Sequence, residues 1–147
     1  MSENGNHLVE VDSLVANEFA VEVNGETLSG VFSVSGMTTF KLDGDRKAQT
    51  LPFRLAKMVQ RDGNNPFNKW LRETISAKNS EARPTRTLSV VAIDDGVETR
   101  RWTFSGAYII SVSYSDFNSG SAEMIEERVT IDYADVSETW SATPNLE

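Results

Sequence analysis

The chain has 147 residues, and its 22 acidic and 14 Lys or Arg side chains give a formal net charge of −8 at pH 7. This length suits one domain with a real core, and the acidic balance argues against a sequence-independent nucleic-acid coat or docking on an anionic membrane. There is no cysteine, which excludes disulfides, thiolate nucleophiles and cysteine-based zinc sites.

The first 17 residues are mixed and polar, and we expect residues 1–17 to form an N-terminal arm that is loose in the isolated chain. The beginning of this stretch has neither a basic start nor an apolar block, so it does not resemble a secretory signal. No stretch of the sequence approaches the roughly 20 apolar residues of a membrane span. We therefore expect a protein that is made in a cytoplasm and does not contact a membrane.

Apolar and polar residues alternate from Phe19 to Val23, which predicts a strand, and Asn24-Gly25 follows directly. Asn-Gly between alternating segments predicts a hairpin, because both residues tolerate a positive φ. The return strand is expected to place Leu28, Phe32 and Val34 on one face. Gly30 and Gly36 interrupt this strand and indicate bends or bulges.

Further alternation predicts strands at 53–59, 86–93, 100–104, 108–114 and 129–133. The first of these is expected to point Phe53, Leu55 and Val59 towards one face. The segment Asp94-Asp95-Gly96 has the composition of a turn. Such a series of alternating strands and turns predicts an antiparallel, mainly β domain.

One segment has the period of a helix instead, with apolar residues at positions 67, 70, 71 and 75. Asn65 is a suitable N-cap, and Pro66 suits the first helical position. We expect a flanking helix over about 65–78 that contacts the core through Phe67, Trp70, Leu71 and Ile75. The predicted fold is a small antiparallel β-barrel or sandwich over 18–134 with this one helix, followed by a C-terminal tail over 135–147 that Val136 and Trp140 could anchor.

Few residues are suited to catalysis. The single histidine, His7, lies in the polar N-terminal stretch, and neighbouring strand residues such as Glu126 and Glu127 point to opposite faces. Asp43 and Asp45 could donate oxygens to a divalent ion, but the rest of an EF-hand loop is missing. We therefore expect no catalytic residue, no cofactor and no metal.

Two alternatives remain open. One is a metal-dependent enzyme that uses Asp43 and Asp45. The other is a small barrel that binds an apolar ligand through Trp70, Trp102 and Tyr108, although aromatic residues at these spacings are also typical of a core.

The connection over 42–51 is polar, charged and longer than the two to five residues that a hairpin needs. A connection of this kind is either a floppy loop or an arm that contacts another molecule. It is the clearest feature of the sequence that core formation does not explain.

Several motifs, taken in order, resemble the tail-tube proteins of contractile phages and related contractile injection systems. The residues over 19–25 and 30–37 are similar to the family's opening hairpin, in which "F-x-V-x-(I/V)" precedes "G-x-F-x-x-V-S-G-(L/M)". Phe67-Asn68-Lys69-Trp70 resembles the family's "F-x-x-W" helix, and 100–107 resembles its "R-x-W-x-F-x-x-A" strand. The resemblance extends over about 18–134.

This resemblance implies a structural subunit of an inner tail tube, which assembles into hexameric rings that stack into a hollow conduit inside a contractile sheath. The implied partners are the subunit itself, a sheath protein, baseplate or tube-initiator proteins and a tape-measure protein, with DNA or protein cargo passing without specific binding. The protein would be made in the bacterial cytoplasm and end in a virion tail or a tail-like injection particle.

The resemblance also implies roles for particular residues. Ser111, Ser113 and Thr130 would line a wet lumen, and acidic residues there would repel phosphate. The loop that contacts a neighbouring subunit or ring would consist of Asp43, Gly44, Asp45, Arg46, Lys47, Ala48 and Gln49.

Overall fold

The computed structural model describes Leu14, residues 16–77 and residues 83–141, so most of the predicted N-terminal arm and residues 142–147 of the predicted tail lie outside the described residues. Eight strands and one helix make up the described part. In chain order they are β1 (Phe19–Val23), β2 (Glu26–Thr27), β3 (Val31–Ser35), β4 (Phe53–Met58), α1 (Pro66–Ser76), β5 (Arg86–Asp94), β6 (Val97–Tyr114), β7 (Glu126–Asp132) and β8 (Asp135–Trp140). The prediction of a mainly antiparallel β domain with one flanking helix is confirmed.

The strands form two connected layers. Sheet A contains β2, β1, β5, the first half of β6 and β8, whereas sheet B contains the second half of β6, β7, β4 and β3. All pairings are antiparallel. Within the described residues the path of paired strands runs from β2 to β3 without closing, so the molecule is a sandwich open along one side.

Strand β6 belongs to both sheets because it bends at Gly106, whose φ is +62°. Residues on either side of this bend pair with different strands, with Phe104 opposite Val136 of β8 and Tyr108 opposite Asp132 of β7. A Cβ at position 106 would lie 3.0 Å from the Cβ of Ala134, so a side chain would be both strained and crowded there.

The first hairpin forms as predicted at its turn, where Asn24 has a φ of +49° and Gly25 a φ of +85°. The prediction that one continuous strand follows this turn is wrong. The chain divides at Gly30, whose φ is +83°, into β2, which pairs with β1 in sheet A, and β3, which pairs with β4 in sheet B. The pairing of β3 with β4 shifts register between Val31 and Ser33. Phe32 is 46% exposed and, contrary to the prediction from the sequence, does not share the face of Val34.

The core lies between the inner faces of the two sheets. Its centre is an aromatic cluster of Phe53, Phe104 and Tyr133. The centre of the Phe104 ring lies 4.3 Å from the centre of the Phe53 ring and 4.9 Å from that of the Tyr133 ring. Leu55, Leu88 and the inward residues of β1 and β7 surround this cluster and are also buried. Each strand contributes every second residue, which is why alternation along the chain identified most of the core.

The predicted C-terminal tail begins with a strand. Residues 135–140 pair along β6, from Ser105 opposite Asp135 to Arg100 opposite Trp140. Val136 packs against the core, whereas Trp140 is 61% exposed and receives the Arg100 guanidinium 4.9 Å from its ring centre. Sheet A therefore continues beyond residue 134 into the segment expected to be a tail.

Helix α1 has the predicted start. The side chain of Asn65 accepts a 2.8 Å hydrogen bond from the Asn68 N–H, and Pro66 occupies the first turn. Phe67 and Trp70 are fully buried, and the Trp70 indole donates a 3.2 Å hydrogen bond to the Pro84 carbonyl.

The other two expected core contacts have different outcomes. Leu71 is partly buried and packs against the core as expected, whereas Ile75 is 73% exposed and is not part of the core. Helix α1 ends at Ser76, so Ile75 lies in its last turn. The expectation that Ile75 packs in the core is wrong.

A charged pair lies where an apolar residue would be expected. The sequence predicts Val59 as the third residue of this strand on the inward face. Strand β4 instead ends at Met58, Val59 is exposed, and the third inward residue is Lys57. Lys57 Nζ lies 2.9 Å from Oε1 of Glu127, directly opposite on β7, and 4.7 Å above the Phe67 ring. Both side chains are almost fully buried, so the pair links β4, β7 and α1.

The Gly106→Ala substitution tests the bend. We expect a loss of about 1–2 kcal/mol from the positive φ, with a further cost from the contact with Ala134. Gly44→Ala is the matched control, because its Cβ meets open space and its φ is not positive. Urea unfolding of both variants measures the difference, and equal stability of the two would contradict the role assigned to the bend.

The Glu127→Leu substitution tests the buried pair. It leaves the Lys57 ammonium in the core without its ion-pair partner, with only the Met58 carbonyl to accept from it, and losing one partner of a buried pair typically costs about 3–5 kcal/mol. The double variant Lys57→Met with Glu127→Leu removes both charges and should recover most of that loss in the free energy of unfolding. If the double variant is as unstable as Glu127→Leu, the cost arises from packing and not from the unpaired charge.

Candidate assembly surfaces

The connection between β3 and β4 contains an ordered hairpin at 41–49, named here the arm hairpin. Leu42 and Ala48 form an antiparallel bridge, and the Gln49 N–H donates a 2.9 Å bond to the Lys41 carbonyl. At the tip, the carboxylate of Asp43 accepts hydrogen bonds from the backbone N–H groups of Asp45 and Lys47, at 2.8 and 2.9 Å. The charged loop of the sequence therefore contains a hairpin that is closed by its own hydrogen bonds.

The arm hairpin projects into solvent. Residues 44–49 are exposed, and so are two apolar side chains at its base, Phe40 at 73% and Leu42 at 44%. Its tip combines two acids with Arg46 and Lys47. An exposed apolar base beneath a charged tip is a composition typical of contact surfaces, so the arm hairpin is one candidate assembly surface.

Tyr133 attaches the base of this connection to the core. Its hydroxyl donates a 3.0 Å hydrogen bond to the Thr38 carbonyl and accepts a 3.3 Å bond from the Leu51 N–H, while its ring lies in the aromatic cluster. Sequence analysis identified Tyr133 only as a strand residue. Alternation reports which face a side chain occupies, but it does not report a contact between residues 82 and 95 positions apart in the chain.

Sheet edges form a second candidate surface. Strands β7 and β8 follow one another along the same side of β6, where the Ala134 N–H between them donates to the Ser105 carbonyl. On its other side β6 pairs with β5 only as far as Ala107. Within the described ranges, the side of the second half of β6 that faces away from β7, the outer side of β8 and the outer side of β3 consequently remain without a strand partner.

The outer face of sheet A carries an ion-pair cluster around Arg101. Its guanidinium lies 2.7 Å from Glu22 and 2.8 Å from Glu98. The hydrogen bonds that Arg101 donates to Glu98 lower the pKa of Glu98 below its ordinary value of 4.5, and those that it donates to Glu98 and Glu22 raise the pKa of Arg101. Because the carboxyl pKa is lowered, the stabilisation by Glu98 is present above pH 4.5 and is lost as the pH falls below that value.

The outer face of sheet B is polar and accessible. Ser111 and Ser113 of β6 are exposed, and Thr130 of β7, opposite Ser111, is half-buried. Arg54 and Arg128 lie on the same face, with Arg128 paired to Glu126 at 3.2 Å. The three residues expected to line a lumen thus share one face.

The comparisons with known proteins agree with this geometry. The family model described as T4-like virus tail tube protein gp19 matches residues 36–137, more than two thirds of the chain. The chain belongs to this tail tube protein family. No curated protein sequence is significantly similar to the chain.

Solved structures of tube proteins share the fold. A chain of the extended sheath-tube complex of an extracellular contractile injection system, PVC, has a TM-score of 0.68 and 18% identity, covering 92% of this tube protein and 97% of that chain. A chain of the anti-feeding prophage cap, the tube terminating cap, has a TM-score of 0.68 and 17% identity over 88% and 92% of the two chains. Hcp1 from Flavobacterium johnsoniae has a TM-score of 0.55 and 16% identity over 87% and 99%.

The residues of the two alternative functions are not brought together in this tube protein. The Asp43 carboxylate already accepts two backbone N–H groups, and the described residues contain no group of three side chains arranged to hold a metal. Trp70 is enclosed in the core, Tyr108 bonds to Asp132, and of the three aromatics proposed for a ligand only Trp102 lines an apolar groove. The family is one of structural tube proteins.

In the described part of the tube protein, no helix has the length and apolar character needed to cross a membrane.

The Tyr133→Phe substitution tests the attachment of the arm hairpin. It preserves the ring but leaves the Leu51 N–H and the Thr38 carbonyl without their partner, which should cost about 1–3 kcal/mol and speed hydrogen exchange at Leu51. Tyr108→Phe is the control, because that hydroxyl bonds to Asp132, away from the arm hairpin. Unchanged exchange at Leu51 in Tyr133→Phe would show that the hydroxyl does not restrain this connection.

Proposed function

We propose that this chain is the repeating subunit of an inner tail tube, in which six copies close into a ring and rings stack into a hollow conduit. The observation that carries the proposal is the match to a tail tube family over 36–137 of a chain whose paired strands do not close within the described residues. The chain acts by assembling and has no catalytic role.

The unpaired edges supply a physical reason to assemble. A free strand edge offers a row of N–H and C=O groups to any other strand, and this is a liability unless it is covered. In a closed ring, one surface of each copy contacts a different surface of the next copy, so every copy has both surfaces covered. The second half of β6 and the outer side of β8 are suited to such contacts because they lie on different margins of the molecule.

The arm hairpin is proposed to bind a neighbouring subunit or ring through residues 43–49. Its apolar base residues Phe40 and Leu42 would be buried in that contact, while Arg46 and Lys47 would pair with acids of the neighbour. An acidic chain offers many such acids, since its net charge is −8. The turn held by Asp43 presents the tip in one shape before contact, which reduces the entropy cost of association.

The outer face of sheet B is proposed to line the lumen, with Ser111, Ser113 and Thr130 presenting hydroxyl groups to water. Hydroxyls and acidic residues would let DNA or protein cargo pass without specific binding, and acids would repel the phosphates of DNA. The proposal therefore includes no cofactor, no metal and no cargo-binding pocket.

The proposed partners are the subunit itself, a contractile sheath protein, baseplate or tube-initiator proteins and a tape-measure protein. The proposal of sheath and baseplate partners is supported by chains of similar fold in a PVC sheath-tube complex and in the six-fold symmetrised anti-feeding prophage baseplate. The protein would be made in the bacterial cytoplasm and then become part of a virion tail or an injection particle.

Electron microscopy tests the assembly. Purified protein at high concentration should form six-fold rings or stacked tubes, and dilution should release subunits. A protein that stays monomeric at every concentration, even with a tube-initiator complex present, would contradict the proposal.

Variants of the arm hairpin test its role. Deleting Gly44 to Gln49 should leave the unfolding transition nearly unchanged but remove stacked tubes, because these residues contribute no core contact. Arg46→Glu with Lys47→Glu should weaken stacking without shortening the chain. The control is Arg61→Glu with Lys69→Glu, which makes the same change of charge at exposed positions elsewhere. Tubes that persist unchanged after the deletion, or equal loss in the control, would overturn the role of the arm hairpin.

A further inference from the structure

A concave surface lies at the end of sheet B that the connection between β6 and β7 covers. This connection, residues 115–125, encloses a cleft of about 1070 Å³ together with Phe32 of β3 and Met58 of β4, named here the loop cleft. Large apolar side chains are exposed along it, with Phe117 at 78%, Met124 at 73% and Phe32 at 46%. Apolar side chains grouped at an exposed cleft are typical of an interaction site.

The loop that forms this cleft is held in a defined shape. The Ser115 N–H donates a 3.0 Å hydrogen bond to the Glu126 carbonyl, and the Ser115 hydroxyl accepts a 2.9 Å bond from the Glu126 N–H. The Val59 N–H donates a 3.0 Å bond to the Ile125 carbonyl, which attaches the loop to the end of β4. Because the cleft is shaped before contact, a partner would lose little free energy in ordering it.

The loop cleft is acidic. Residues 115–126 contain Asp116, Glu123 and Glu126 and no Lys or Arg. Glu126 pairs with Arg128 at 3.2 Å, whereas Asp116 and Glu123 make no ion pair with any described residue. A partner that fits the cleft should therefore offer both apolar side chains and free cations.

The arm hairpin has this composition. Phe40 and Leu42 are exposed at its base, and Arg46 and Lys47 make no ion pair within the part of the chain that the structure describes. The Asp43 carboxylate is already occupied by two backbone N–H groups of the turn. Surfaces of opposite charge with apolar patches select one another and fix the register of a contact.

The two surfaces lie at opposite ends of sheet B. The connection that carries the arm hairpin leaves after Ser35 and returns at Phe53, whereas the loop cleft lies at the other end of β4, where Met58 is opposite Glu126. The six residues of β4 place about 20 Å between these ends. Two different surfaces at opposite ends suit a contact between copies in the same orientation, and such a contact repeats along an axis.

We propose that the loop cleft accepts the arm hairpin of a second copy of this chain. Phe117 and Met124 cover the apolar base of the arm hairpin, and Asp116 and Glu123 lie beside its cations. This contact rests on the proposed stacking of rings, and it identifies the surface that receives the arm hairpin. Each ring consequently presents arm hairpins on one side and loop clefts on the other.

Charge reversal in the full chain tests the contact by electron microscopy. Asp116→Lys with Glu123→Lys should leave rings but abolish their stacking, because cations of the arm hairpin then face cations of the cleft. Adding Arg46→Glu with Lys47→Glu to the same chain reverses both surfaces and should restore stacked tubes.

The matched control is Glu26→Lys with Asp94→Lys, which makes the same change of charge at exposed positions of sheet A. This control should stack like the unmodified chain. Stacking that is unchanged after reversal at the loop cleft, that is lost equally in the control, or that does not return when both surfaces are reversed would overturn the proposal.

Cysteine cross-linking gives a readout that requires neither rings nor tubes. The chain has no native cysteine, so a copy with Lys47→Cys can be mixed with a copy with Glu123→Cys and treated with a short bismaleimide. The mixture should give a product of twice the monomer mass that neither variant gives alone. The control mixture joins Lys47→Cys with Glu26→Cys. No product above the control, or an equal product from one variant alone, would overturn the proposal.

The two readouts separate this contact from the proposed function. If the unmodified chain forms no rings but Lys47→Cys and Glu123→Cys copies cross-link, the ring is contradicted and the contact is supported. If rings form and still stack after reversal at the loop cleft, the contact is contradicted and the tube subunit is supported.

Discussion

Strand β6 is the element on which the rest of the structure depends. Its 18 residues pair with β5 and β8 in sheet A and with β7 in sheet B. One strand can serve both layers only because the backbone turns at Gly106 with a positive φ, close against Ala134. The two inner faces that enclose the aromatic cluster meet because of this bend.

The polar contacts of this protein hold particular elements together. The buried pair of Lys57 and Glu127 joins two strands of sheet B under the helix, and a shift of β4 by one residue would turn Lys57 to the opposite face and leave Glu127 without its partner. The Tyr133 hydroxyl holds both ends of the β3–β4 connection at the core. Each contact places a surface element on a rigid support, which is the arrangement expected of a subunit that presents fixed surfaces to its neighbours.

The open set of strands agrees with membership of the tail tube family, because free strand edges can pair between copies of the chain. A chain that closed all of its edges internally would leave no backbone groups to pair between copies. In this protein the apolar residues of the arm hairpin, the margins of β6 and β8, and the groove beside β3 are all accessible at the surface of a single subunit. The proposals for ring closure and for stacking use the margins of β6 and β8 and the arm hairpin.

The sequence by itself determined the features that depend on near neighbours in the chain. Alternation identified most strands, Asn24-Gly25 and Asp94-Asp95-Gly96 identified the tight turns, and Asn65 with Pro66 identified the start of the helix. The ordered motifs were enough to indicate the family. These signals are local because pleat, helix period and turn geometry are properties of a few consecutive residues.

Only the tertiary structure decided what depends on distant residues. It divided the predicted return strand between two sheets at Gly30, added 135–140 to sheet A, and left Ile75 exposed at the end of its helix. It also placed Lys57 against Glu127, 70 residues away, where periodicity alone expects an apolar side chain. Pairing partners, layer and burial arise from packing between segments far apart in the chain, and a one-dimensional pattern carries no record of them.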